Sequence, residues 1–330
     1  MFPHRFPHYP WPFHSRFSSY IHKHKHKHMG KNNRKGPSED CLTLPDHPRH
    51  MSAPIIDTHT HLVSTFTAYK QKYKDGKHET IYDLVKGLYR EKKVTALVDV
   101  WCEAPILPVT AENREDKWGG LEYWFVMGAH EAKLYTSDIE GDILESMMHP
   151  RNVGWGEIGL DYHYDHSPRD VQRKVFTRQL QHAVRLGKPI TVHTREADED
   201  TESILKAEVP KDHKIHIHCF TDSPDFGQRL LDHFPNLYIG ITGVITFSSN
   251  ENTSNLIRRM FSLSSAPRII LETDAPFMVP ANIYGSLPTV KGRLPLCHSA
   301  MIPWTAESEG WDVDRVLELG KINACSAYGI

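Results

Sequence analysis

From Ile55 onward the chain alternates short runs of β-branched and other apolar residues with longer stretches whose apolar positions recur every three to four residues. That alternation marks parallel βα units, in which a strand buried on both faces is followed by a helix that packs back on the sheet. Strands are predicted at 55–60, 94–100, 121–127, 152–158, 189–193, 213–218, 236–241 and 268–272. Eight such units close a (β/α)8 barrel of about 250 residues, so an α/β TIM barrel is expected over 51–330. The clearest helix follows the fourth strand: Ser167 serves as N-cap and Pro168 as first residue, Val171, Phe176, Leu180, Ala183, Val184 and Leu186 share a face, and Gly187 closes it. Further helices are predicted at 79–91, 199–208, 225–233, 253–262, 297–309 and 312–328. The stretches after the first two strands, Val63 to Glu79 and Cys102 to Gly120, read as loops, the second with Pro105, Pro108 and the character of a lid.

Residues 1–50 lack this periodicity. They are rich in His, Pro and aromatics, carry no acid before Glu39, and include the alternating run His22 to His28. Such a composition predicts a disordered, basic, His-rich tail with no part in the chemistry. The missing acids suit a mitochondrial presequence, but Pro3, Pro7, Pro10 and Pro12 break the amphipathic helix one requires, and Met51 offers a second start site.

Charge changes the picture once the tail is set aside. The net charge is -2, but residues 1–50 hold nine of the 39 basic residues and three of the 41 acidic ones, leaving 30 against 38 over the rest. A barrel this acidic has no broad nucleic-acid face, so a phosphate substrate must be gripped by placed groups or bound cations. No apolar run approaches the ~18 residues of a membrane span. The five cysteines, Cys41, Cys102, Cys219, Cys297 and Cys325, have no C-x-x-C spacing, which suits a reducing compartment and predicts the cytosol or nucleus.

Candidate chemistry lies at the strand ends. His59 and His61 share a face of the first strand; Glu157, His193, His218 and Asp274 fall at the ends of the fourth, fifth, sixth and eighth. In a parallel barrel all six meet at the carboxyl-end mouth. Four imidazoles and two carboxylates suit two divalent ions, zinc or manganese before magnesium, with Glu157 as the bridge. His216 lies on the same face as His218, one layer deeper, and is assigned to barrel filling; Asp57 is placed to orient His59.

The fragments Asp57-Thr58-His59-Thr60-His61-Leu62, Gly156-Glu157-Ile158-Gly159-Leu160-Asp161-Tyr162, Val192-His193-Thr194-Arg195-Glu196-Ala197, Ile217-His218-Cys219-Phe220, Tyr238-Ile239-Gly240-Ile241-Thr242-Gly243 and Glu272-Thr273-Asp274-Ala275-Pro276 together resemble the TatD-family metal-dependent hydrolases, within the amidohydrolase-like metal barrels. The resemblance implies the six ligands named above and a deoxyribonuclease. Two motifs depart from the family's: Gly-x-His-Pro reads Gly128-Ala129-His130-Glu131, and Arg-Asn-Glu-Pro is shortened to Arg293-Leu294-Pro295.

The expected reaction is phosphodiester hydrolysis at an end of DNA, with a two-metal-activated water and Asp274 as general base. Arg195, Arg293 and His130 are the candidate substrate contacts. The same barrel also supports other ester or amide hydrolysis, and a slow member acting as a protein-interaction scaffold is the reading from outside enzymology.

Overall fold

The structure, a computed structural model, describes residues 36–102 and 118–330. Eight parallel strands run in sequence order, each beside the next: β1 Ile55–Thr60, β2 Val94–Trp101, β3 Glu122–Met127, β4 Asn152–Asp161, β5 Ile190–Arg195, β6 Ile215–Ile217, β7 Leu237–Ile241 and β8 Ile269–Leu271. The last strand returns to the first. Thr60 bridges Ala275, Asp274 N donates to His59 O over 2.9 Å, and His61 N donates to Ala275 O over 3.0 Å. This closed (β/α)8 barrel is the fold that the alternation predicts. Every residue of β1 and β4 is buried, as expected of strands covered on both faces.

Helices fill the crossovers: α1 Leu62–Lys72, α2 Ile81–Tyr89, α3 Ser137–Ser146, α4 Arg169–Leu186, α5 Asp198–Glu208, α6 Pro224–His233, α7 Glu251–Leu263, α8 Ile302–Ala306 and α9 Val313–Tyr328. The capping box of Thr80 and Asp83 starts α2, and Ser223 caps α6, whose first turn holds Pro224. Helix α4 begins one residue later than expected, with Pro168 rather than Ser167 at the cap, and ends at Gly187 in the left-handed region at φ 64°. Its Gln179, fully buried, receives bonds from Ala129 N (2.9 Å) and Trp155 Nε1 (3.2 Å), pinning the helix to the ends of β3 and β4.

Three expectations are corrected. The stretch after β1 is not a loop but begins with α1, whose Leu62, Thr65 and Tyr69 are buried on one face. Its β-branched and hydroxyl residues weaken local helix propensity, and packing decides instead. Residues 297–309 do not form one helix: 3-10 turns at Ser299–Met301 and Ser308–Gly310 flank the short α8, which has Pro303 in its first turn, and Glu309 inside the second 3-10 turn stands at φ 64°.

The third correction moves the boundary of the folded unit from 51 to Pro37. Glu39–Leu42 is a 3-10 turn, and Leu42 and Leu44 are buried in the main core. Glu39 Oε1 accepts from Tyr69 OH at 2.5 Å and Lys77 N at 3.1 Å, His298 Nε2 donates to Leu42 O at 3.0 Å, and His47 packs edge-on to Trp304. The expected disorder of residues 1–35, with the His22 to His28 run, lies outside the described residues, as does most of the expected lid, 103–117. Among the described residues no helix is long and apolar enough to cross a membrane.

Candidate metal centre

The strands carry His59, His61, Glu157, His193, His218 and Asp274 to one place at the carboxyl-end mouth. Glu157, near the middle of β4, divides its two oxygens between two pairs of imidazoles. Oε2 lies 3.3 Å from His59 Nε2 and 3.7 Å from His61 Nε2. Oε1 lies 3.0 Å from both His193 Nδ1 and His218 Nε2, which are 3.0 Å apart. Asp274 Oδ1 joins the first pair, 3.3 Å from His61 Nε2 and 3.8 Å from His59 Nε2.

These spacings suit ligand atoms sharing an ion, since bonds of about 2.0–2.2 Å leave neighbouring ligands a little over 3 Å apart. The polar atoms also require a partner. His59 is wholly buried and its Nε2, aimed at the two carboxylates, has no hydrogen-bond partner. A buried nitrogen left so would be costly, and a cation between it and the carboxylates resolves it.

The electrostatics keep both carboxylates ionised and His59 neutral, while those carboxylates, against burial, raise His61, His193 and His218. Burial and the neighbouring His218 push His59 down to about 4, which keeps its imidazole neutral near pH 7. Burial alone would raise Glu157, but the His218 charge and the close approach of His193 and His218 outweigh it and hold the carboxyl well below its usual range. Asp274 is lowered in the same way against its burial, chiefly by His61 and His218.

Beyond the six, His130 lies over the centre, Nε2 3.9 Å from Glu157 Oε1 and ring edge-on to His193 at 4.4 Å. Arg195 ends β5 with its guanidinium 4.9 Å from the Tyr164 ring centre, and Tyr164 N donates to Asp161 Oδ1 at 2.8 Å. Arg293 is exposed and forms no ion pair among the described residues. Asp161 was not among the expected site residues. Its Oδ2 faces His193 Nε2 at 3.2 Å, so with Glu157 it fixes that ring from both nitrogens, and it groups with His130 and His193 as a further potential ligand set. The period of β4 offers the signal, since 157, 159 and 161 alternate to one side.

Asp57 does not orient the His59 ring. Its oxygens accept from His59 N (3.3 Å), Thr273 N (3.0 Å), Thr273 Oγ1 (2.6 Å) and Ser299 Oγ (2.7 Å), so it fixes the backbone where β1 meets the end of β8. Asp99 does similar work beside it, accepting from Leu62 N and from Tyr123 OH, each at 2.9 Å, to hold the start of α1 just after His61.

His216 sits below the metal layer. Its Nε2 is 2.8 Å from Glu272 Oε2 and its Nδ1 2.7 Å from Tyr328 OH, all three residues being buried. A Cβ at Gly240 would come within 2.5 Å of both the His216 ring and the Glu272 carboxylate, so glycine makes room for the pair. His216→Asn takes a partner from Glu272 Oε2 and from the Tyr328 hydroxyl, leaving the latter Thr191 Oγ1 at 2.6 Å. The expected loss in urea unfolding is about 1–3 kcal/mol, with the metal content of the purified protein kept; loss of metal would put His216 in the centre itself.

A parallel barrel with His-x-His on β1, a carboxylate spanning to imidazoles of β5 and β6, and an aspartate after β8 defines a metal-dependent hydrolase of the amidohydrolase type. The comparisons specify the family: residues 56–329 match the description "TatD related DNase", and the chain belongs to the TatD family. It is 37% identical over 244 residues to the human 3′-5′ RNA nuclease TATDN2, an alignment covering 71% of this chain but 30% of that protein, so the chain spans less than a third of that relative's length. The uncharacterized metal-dependent hydrolase YabD of Bacillus subtilis is 30% identical over 231 residues, covering 68% of this chain and 82% of YabD. In fold, the chain is similar to the crystal structure of YjjV, a TatD homolog from Escherichia coli, with a TM-score of 0.64, 20% identity and coverage of 84% and 98%.

Proposed function

We propose that the chain hydrolyses phosphodiester bonds at the 3′ end of single-stranded nucleic acid, DNA or RNA, and holds two divalent cations to do so. The observation that carries the reading is the division of Glu157 between His59 with His61 on one oxygen and His193 with His218 on the other. The family description supports DNA as a substrate and the human relative supports RNA and polarity.

Bound there, two cations would supply a water acidic enough to attack near neutral pH and would offset the charge building on the phosphoryl oxygens. The protein's own groups do the rest. Asp274, held ionised by His61 and His218, is the base that takes the proton of the attacking water. We assign His130, beside Glu157 Oε1, and Arg195, at the end of β5, to the scissile phosphate and its neighbour. Local grip is needed because residues 51–330 are acidic overall, with 30 basic residues against 38 acidic.

The test is a 5′-labelled single-stranded oligonucleotide, as DNA and as RNA, incubated with the full chain. A ladder shortening from the 3′ end, abolished by a chelator and restored by zinc or manganese, is expected. A ladder that persists in chelator, or fragments from internal cuts alone, would reject the reading.

A further inference from the structure

Strand β2 adjoins β1 and supplies none of the six expected ligands, yet it leads directly into Cys102 at the mouth. The Cys102 Sγ lies 3.9 Å from Glu157 Oε2, the oxygen that faces His59 and His61.

With bonds of about 2.3 Å to sulfur and 2.0–2.2 Å to oxygen, a sulfur and an oxygen on one zinc-sized ion stand roughly 3.5–4 Å apart. The Sγ to Oε2 distance of 3.9 Å falls in that interval. A second observation points to a ligand at this place: buried His59 Nε2, aimed at the same oxygens, lacks a hydrogen-bond partner.

We propose that Cys102, as the thiolate, is a fifth ligand of the ion held by His59, His61, Glu157 and Asp274, and that this position is built for zinc or another thiophilic cation. The proposal rests on the reading of the cluster as a metal centre. On binding, the thiol proton passes to solvent water and no electron is transferred. A soft sulfur donor favours zinc over magnesium or calcium, which prefer an all-oxygen shell, so Cys102 gives this position a metal preference that the histidines and carboxylates alone set less firmly.

Cys219, which follows His218, is the natural control, because its Sγ is instead paired with Thr242 Oγ1 at 3.4 Å.

Loading the full chain with cobalt(II) separates the possibilities. Visible d–d bands report a bound ion, and a near-ultraviolet sulfur-to-cobalt charge-transfer band reports a thiolate ligand. The charge-transfer band is expected in the wild type and in Cys219→Ser and absent from Cys102→Ser, which keeps its d–d bands. Zinc affinity of Cys102→Ser should fall about 10–100-fold, with magnesium affinity unchanged. Wild-type protein without the band, or Cys102→Ser with it, would overturn the assignment while leaving the metal centre standing. Absence of d–d bands from the wild type would reject the metal-centre reading and this one with it. X-ray absorption on the zinc-loaded wild type needs no variant to fold: a sulfur shell at about 2.3 Å is expected, and a shell of only nitrogen and oxygen contradicts the proposal.

Discussion

Glu157→Ala is expected to lose metal from both halves of the centre and to lower turnover by at least about 10³-fold, since each 1.4 kcal/mol of lost transition-state stabilisation is tenfold and metal activation supplies several kcal/mol. The basis is geometric. One carboxylate serves two imidazole pairs, so its removal takes a ligand from each, whereas His59→Ala takes one from the first half only. Asp274→Asn gives the contrasting result: it keeps an oxygen on the first pair but cannot accept a proton, so turnover should fall much further than metal content. Elemental analysis beside single-turnover rates separates the three. Glu157→Ala with metal content equal to wild type would remove the residue from its bridging place.

A chain beginning at 51 is expected to melt about 10 °C below one beginning at 36. The segment between them buries Leu42 and Leu44, at 1% and 3% exposure, and ties itself to α1 and to the 3-10 turn before α8. Two buried leucines are worth roughly 1.5–3 kcal/mol each. At about 2 °C per kcal/mol for a domain of this size, they and the Glu39 and His298 bonds account for the shift. Removal of His47 adds to it, because its ring packs on Trp304 and its Nε2 lies 3.2 Å from Glu307. Equal melting temperatures by calorimetry would show that the segment contributes nothing to the barrel.

The strands of this barrel were legible because burial on both faces leaves a compact mark in sequence, β-branched runs at regular intervals. The residues at the mouth were legible for a related reason: a histidine or carboxylate at the end of such a run sits at the carboxyl end of a strand, and period 2 groups His59 with His61 and sets His216 a layer below His218. What stayed hidden depends on contacts between distant parts of the chain. Helix α1 has poor local propensity and is held by the burial of Leu62, Thr65 and Tyr69. Leu42 and Leu44 lie at the end of a segment whose composition masks them, and only their place in the core reveals the boundary at Pro37. Asp57 faces the expected direction but spends its oxygens on the backbone of His59 and on Thr273 and Ser299, partners more than 200 residues away in the latter two cases. Cys102 followed an ordinary strand with no motif to mark it, and its place beside Glu157 becomes visible only when β2 is laid against β1.

The central claim is that catalysis belongs to two cations gathered around Glu157. Metal-free protein titrated with zinc or manganese, with single-stranded oligonucleotide hydrolysis followed at each step, tests it most directly. Hydrolysis is expected to remain negligible through the first equivalent and to rise to its plateau at the second, with no such rise in Glu157→Ala. Full hydrolysis at one equivalent, or in the metal-free protein, would contradict it.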